Sequence, residues 1–175
     1  MEARLAVLFA EIDYQWNQIL KIYKSIEEKL KRLKENKDNE DLRDSLAYRL
    51  HNLYCAYEDL FKIIAKFFEN RIEDPARYHI ELLRRMLIEI KGIRPSLISE
   101  ESYTYLNELR GFRHVFRHAY AIELDVDRII ALAEKSLILK SLFEEDLKRF
   151  KRKLYEMFSK KTDCSKQFYT SEHYY

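Results

Sequence analysis

The sequence predicts an all-α protein, an antiparallel bundle of about five helices, on three observations. Only two glycines and two prolines occur in 175 residues, well under the usual share of roughly 7% and 5%, so turn-making residues are scarce. Apolar residues recur at three- and four-residue steps over long stretches, the period of a helix with one buried face. Charged residues are 35% and hydrophobic residues 47% of the chain, a balance that suits amphipathic helices around a core and not a disordered chain. Strand-like alternation, internal repeats and a glycine-rich phosphate loop are not found in the sequence.

The first helix is expected from about Glu2 to about Lys34, with Leu5, Leu8, Ile12, Ile19, Ile22, Ile26 and Leu33 as its stripe and Tyr14, Trp16 and Tyr23 widening it. The polar run from Lys34 to Glu40 makes the turn. A second helix starts near Asn39 or Asp41, both good N-caps, and runs to about Asn70 on the stripe Leu42, Leu46, Leu50, Leu53, Tyr57, Phe61, Ile64 and Phe68. Two helices of this length, each about 45 Å at 1.5 Å per residue, joined by a short loop, form an antiparallel hairpin. Arg49, His51, Glu58 and Asp59 lie within this second stripe. The ordinary expectation makes them a solvated flank; the sharper one has a carboxylate such as Glu58 supporting the basic motif described below.

Asp74-Pro75 opens a shorter third helix, since aspartate caps and proline fits the first helical position. Its buried side is expected to be Ile80, Leu83, Leu87 and Ile90, with Gly92 as the stop and Ile93-Arg94-Pro95 as a stiff connection. Ser99-Glu100-Glu101 opens a fourth helix with acids where the helix dipole favours them, and Tyr103, Leu106, Leu109, Phe112 and Phe116 are its apolar positions. Asp125-Val126-Asp127 caps a fifth, which continues through Phe143 and Leu154 to about Phe158. Residues 1–160 therefore read as one helical domain and residues 161–175 as a polar, tyrosine-rich C-terminal tail.

A net charge of +2 does not by itself imply nucleic-acid binding, because a local basic patch matters more than the sum. Cys55 and Cys164 form no metal-ligand or redox motif, and a buried free thiol suits a reducing cytoplasm. No stretch approaches the roughly 18 apolar residues of a spanning helix, and the N-terminus lacks a basic segment followed by an apolar run. The expectation is a soluble, cytoplasmic protein with no membrane contact.

The unusual stretch lies on the fourth helix. Arg110, Arg113, His114, Arg117, His118 and Tyr120 fall within an otherwise apolar segment. Histidine can exchange protons near neutral pH and arginine is the best side chain for holding a phosphate. In a helix, Arg113 shares a face with Arg117 and His114 with His118, whereas Arg113 and His118 diverge by about 140°. The pair can meet one ligand only if the helix loosens near His118 or a second copy completes the site.

Three roles compete for these residues. In a purely structural one the arginines pair with acids such as Glu108 and Glu123 while the histidines pack. A zinc site built on His114 and His118 falls short, because two histidines do not fill a tetrahedral shell and Val115 stands where a zinc protease carries its glutamate; neither a metal nor another cofactor is expected. In the third, RNA is cleaved without metal. A ribose 2′-OH attacks the adjacent phosphate while a histidine moves protons and a guanidinium stabilises the charge. Motif chemistry alone leaves the first and third roles level.

Arg113, four residues, His118, one residue, Tyr120 resembles the R-x4-H-x-Y signature of the HepT toxins, a branch of the HEPN superfamily. The run Leu109–Tyr120, followed by Glu123-Leu124-Asp125, is similar to the HepT-like family, as are Tyr57–Ala65 and Gly92–Pro95. The likeness spans residues 45–135. It implies a HEPN-like helical bundle that dimerises, with two motifs facing each other across a cleft as a composite active site. It also implies a metal-independent endoribonuclease acting on messenger or transfer RNA. Its partner would be a nucleotidyltransferase antitoxin that can transfer AMP to the motif tyrosine. On this resemblance Arg113 and His118 are the catalytic pair and Tyr120 the modification site. Arg110, His114 and Arg117 are supporting residues for the RNA backbone. The alternative is a non-catalytic HEPN-type module that binds a nucleotide or a nucleotidyltransferase.

Overall fold

The computed structural model describes residues 2–68, 78–117 and 124–169, with only the backbone described for the last ten. Five helices follow in order: α1 (Glu2–Glu35), α2 (Glu40–Phe68), α3 (Tyr78–Leu87), α4 (Glu100–Arg117) and α5 (Val126–Tyr169). No strand occurs among the described residues, only an isolated bridge between Ile90 and Arg94. The predicted all-α bundle of five helices is the fold observed.

α1 ends within one residue of its expected position, and the turn after it is set by a side chain. Asn39 Oδ1 accepts the backbone N–H of Leu42 at 2.9 Å, so Asn39 is the N-cap that starts α2. The hairpin is antiparallel: Arg4 lies over the Phe67 ring at the far end, while Gln15 Nε2 donates to the Ala56 carbonyl nearer the middle. α5 also runs antiparallel to α1, shown by the pairs Lys34–Glu134, Glu27–Lys140 and Asp13–Lys151. These exposed pairs mark register and add little stability. Burial supplies the rest. Phe143 of α5 packs its ring against Trp16 at 5.3 Å, Tyr57 at 4.8 Å and Phe61 at 6.3 Å, so one aromatic cluster locks three helices together. Tyr23 and Tyr57, both fully buried, satisfy each other through a 2.8 Å hydroxyl–hydroxyl bond.

Differences from expectation cluster where periodicity was the weakest guide. Tyr14 is exposed and does not widen the core stripe. The predicted Asp74-Pro75 opening of α3 lies outside the described residues. Within α3 the buried face is Leu82, Leu83 and Met86, whereas Ile80 is 43% exposed; ten residues are too few for a sequence pattern to fix the phase. α3 stops at Leu87, ahead of Gly92. The glycine instead turns the chain at φ 77, the left-handed geometry that favours it, within the bridge from Ile90 to Arg94. The fully buried Arg94 closes this end: its Nη1 donates to the carbonyls of Ile88 at 3.0 Å and Pro95 at 3.2 Å, and its Nη2 to that of Arg85 at 2.8 Å. A guanidinium thus takes up the carbonyls that a helix end leaves over. α5 continues to Tyr169, past Lys160, and the run beyond Lys160 contains neither glycine nor proline to break it.

The opening of α4 is fixed from two sides. Ser99 Oγ accepts the Ser102 N–H at 3.2 Å, as expected of an N-cap. The Ser99 N–H and hydroxyl also donate to Asp146 Oδ2 of α5 at 2.9 and 3.0 Å. Asp125 likewise caps α5, accepting the N–H groups of Asp127 and Arg128. α4 is thereby pinned at its start, and its later turns lie along α2.

Candidate active site between the second and fourth helices

His51, Cys55 and Glu58 on α2 are four and three residues apart, so they stand within about 60° of one another on one side of the helix. α4 passes this face in the opposite direction. Its Phe116 ring lies 5.3 Å from the His51 ring, and Arg113 reaches Cys55 and Glu58 one to two turns further on. Leu106 and Leu109 of α4 and Leu50, Leu53 and Tyr57 of α2 are buried and fix the approach of the two helices. The polar groups sit at the rim of that apolar contact.

Arg113 is the centre of the site. Its side chain is 16% exposed, its Nε–H donates to Cys55 Sγ at 3.4 Å, and its Nη2 lies 3.7 Å from Glu58 Oε2. Glu58 is 2% exposed, so an uncompensated charge there would be costly. Burial works against the charge on Arg113, but the Cys55 hydrogen bond and the Glu58 carboxylate outweigh it and hold its proton more tightly than usual. The fully buried Tyr54 sits beside them. Burial, then the Glu58 carboxylate, pushes its phenol above the usual range, while Arg110 and Arg113 pull the other way. Its hydroxyl lies near the Glu58 carboxylate, outside good hydrogen-bond geometry.

His51 completes the cluster. Its Nε2 is 3.7 Å from Cys55 Sγ, and its Nδ1 is buried without a partner among the described residues. Burial lowers its pKa, and the positive charges of Arg113 and Arg117 lower it further, so at neutral pH the ring is uncharged.

Of the residues singled out from sequence, Arg110, Arg113, His114 and Arg117 are described, and they divide into two groups. Arg113 faces α2. His114 and Arg117 are exposed, and Arg110 is half-buried with its Nε–H donating to Asn107 Oδ1 at 3.0 Å. His118 and Tyr120 lie outside the described residues, so the convergence of Arg113 with His118 is not defined. The structural pairing expected for Glu108 is not found: that carboxylate takes Lys135 of α5 at 2.7 Å. Glu123 lies outside the described residues. On α2 the solvated-flank expectation holds for Asp59, which pairs with Lys62, and fails for Glu58. Sequence reasoning passed over Tyr54, took Cys55 only as a buried free thiol and left His51 on the flank; Cys55 is half-buried. The available signal was their shared helical face with Glu58, a spacing that has meaning only once a partner helix carries arginines.

Among the described residues no three His, Cys, Asp or Glu side chains gather as a metal-binding group, and no helix is long and apolar enough to cross a membrane. Fold and site together define an all-helical module with an arginine held against a buried carboxylate between two antiparallel helices. The family described as HepT-like protein matches residues 45–154, most of α2 through most of α5. The chain belongs to the HepT-like family and is a toxin-type module of the HEPN kind. No curated protein and no solved structure matches it.

Proposed function

We propose that this protein is the ribonuclease toxin of a toxin–antitoxin pair, cleaving RNA without a metal through Arg113 and His118. The observation that carries this reading is the placement of Arg113. α2 holds the guanidinium through Nε and Nη2 while part of the side chain remains open to a ligand, an arrangement that suits phosphate capture. In the proposed reaction His118 accepts the proton of a ribose 2′-OH, and the resulting oxygen attacks the adjacent phosphorus. Arg113 stabilises the charge that builds on the phosphoryl oxygens. The bond from phosphorus to the 5′-oxygen breaks and that oxygen takes up a proton. The products are a 2′,3′-cyclic phosphate and a 5′-hydroxyl.

Two copies of the chain are proposed to face each other, so that each supplies part of a composite site. Arg110, His114 and Arg117 would track the RNA backbone through salt-sensitive contacts. The proposed antitoxin is a nucleotidyltransferase. It would place AMP on the Tyr120 hydroxyl with release of pyrophosphate, filling the cleft with a phosphate and a base that repel and exclude RNA.

The test is cleavage of RNA by the purified protein in EDTA. Wild type should yield the cyclic phosphate and His118→Ala should be inert; cleavage that survives in His118→Ala removes that residue from the mechanism. If wild type neither cuts RNA nor arrests growth on expression, the fold serves instead as a binding module for a nucleotide or for a nucleotidyltransferase.

A further inference from the structure

We propose that Cys55, backed by His51, is a positioning residue that sets the guanidinium plane of Arg113 for the RNA phosphate, a role that rests on the ribonuclease function proposed above. The argument begins with the shape of the guanidinium. Its Nε and Nη2 form one edge of a planar fork and Nη1 with Nη2 forms another. α2 occupies the first edge, with Cys55 Sγ at 3.4 Å from Nε and Glu58 Oε2 at 3.7 Å from Nη2. Among the described residues nothing bonds Nη1, which leaves the second edge for the two oxygens of a phosphate. A single contact at Nη2 would let the plane turn about the side-chain axis. The second contact at Nε stops that rotation.

A thiol suits the Nε position for an electrostatic reason. A second carboxylate would hold Nε more strongly but would add negative charge where a phosphate has to bind. A thiol accepts the N–H weakly and lacks the full charge of a carboxylate. The sulfur is itself held in place, because His51 Nε2 lies 3.7 Å from it and the His51 ring packs against Phe116. With the imidazole kept neutral by burial, Arg113 and Arg117, the Cys55 S–H can donate to Nε2 while the sulfur accepts from Arg113. The order Arg113, Cys55, His51 then forms one directed chain of hydrogen bonds, and its far end is anchored on α4 two residues before His118.

The experiment uses the full chain and an RNA oligonucleotide in EDTA, with kcat, KM and thermal stability measured for wild type, Cys55→Ala and Cys55→Ser. Loss of orientation should lower kcat of Cys55→Ala on the order of tenfold or more with little change in KM. Cys55→Ser, which keeps an acceptor and a donor, should recover most of the rate. Methyl methanethiosulfonate, which converts the thiol to a methyl disulfide with release of methanesulfinic acid, should inactivate wild type reversibly by dithiothreitol and spare Cys55→Ser. A wild-type kcat in Cys55→Ala overturns the proposal. So does an equal loss in both variants that follows their melting temperatures, or equal inactivation of wild type and Cys55→Ser by the reagent. If the wild type itself does not cut RNA, the ribonuclease reading has failed and the positioning role falls with it; if wild type cuts and Cys55→Ala cuts equally well, only the positioning role has failed.

Discussion

Glu58 and Asp146 are both 2% exposed, yet they meet different kinds of partner. Asp146 is met at short range from every side: Ser99 N–H and Oγ on Oδ2 at 2.9 and 3.0 Å, and Arg149 Nη1 on Oδ1 at 2.6 Å. It ties α5 to the start of α4 and its hydrogen-bonding capacity goes into the fold. Glu58 faces Arg113 at 3.7 Å and the Tyr54 hydroxyl, near a His51 Nδ1 that is buried without a partner among the described residues. Ionisable groups gathered in a low-dielectric seam shift one another's proton affinities. Asp146 ties two helices together at a cap, whereas Glu58 lies beside the one arginine that α4 turns toward α2, where perturbed ionisable groups gather.

The sharpest way to break this comparison is Arg113→Lys. The ammonium keeps the charge beside Glu58 but loses the planar fork, so the fold should melt within a few degrees of wild type. RNA cleavage should fall on the order of a hundredfold or more, the scale of losing one preorganised donor to the transition state. Near-wild-type kcat in Arg113→Lys would mean that the seam is only structural. Asp146→Ala should behave in reverse. Removing the acceptor of two Ser99 bonds and of Arg149 should cost roughly 2 kcal/mol, or about 4–8 °C in Tm at this chain length, with kcat per folded molecule unchanged. A calorimetric melt paired with an active-fraction assay separates the two.

A smaller effect concerns His51, whose folded-state pKa lies below the ordinary 6.5. The unfolded chain therefore takes up this proton more readily than the folded one. The stabilising difference is complete above the ordinary value and is lost as pH falls from there toward the folded pKa. Protonation would also set a third cation beside Arg113 and Arg117. Because the ring is part exposed and screened, the expected change is modest, with Tm slightly lower at pH 5.5 than at pH 7.5. It should flatten in His51→Gln, measured as the difference between the two proteins at each pH. A difference that is constant with pH would assign the shift to other groups.

The two carboxylates also show what could be read from sequence and what could not. Helix number, the antiparallel hairpin and the caps at Asn39, Ser99 and Asp125 were legible because they are local: a period of 3.6 residues and a side chain that reaches its own neighbouring N–H. Arg113 was legible through a short signature on one helix. Glu58 was not, beyond a weak alternative, because an acid inside an apolar stripe reads the same whether it meets water or an arginine fifty-five positions away. His51 and Cys55 share that ambiguity, and so does Arg94, whose carbonyl partners lie in an irregular turn. Polar partners across helices depend on register between elements, which the periodicity of either helix alone does not contain.

The smallest expected effect tests the opposite side of α4. Gly111 lies within the helix, half-buried, on a groove shared with Phe112, Val115 and Leu132, and a Cβ built there meets nothing within 4 Å. Glycine inside a helix is less favourable than alanine by about 0.5–1 kcal/mol, and no packing among the described residues requires it. Gly111→Ala should therefore raise Tm by roughly 1–4 °C when the protein is dilute enough to be monomeric. If a second copy packs closely on this groove in the proposed dimer, the same methyl group would weaken association, and the gain would shrink or reverse as concentration rises. Melting curves of Gly111→Ala against wild type across a concentration series distinguish the cases. A uniform gain leaves this face of α4 outside the interface, and a gain that disappears with concentration places it inside.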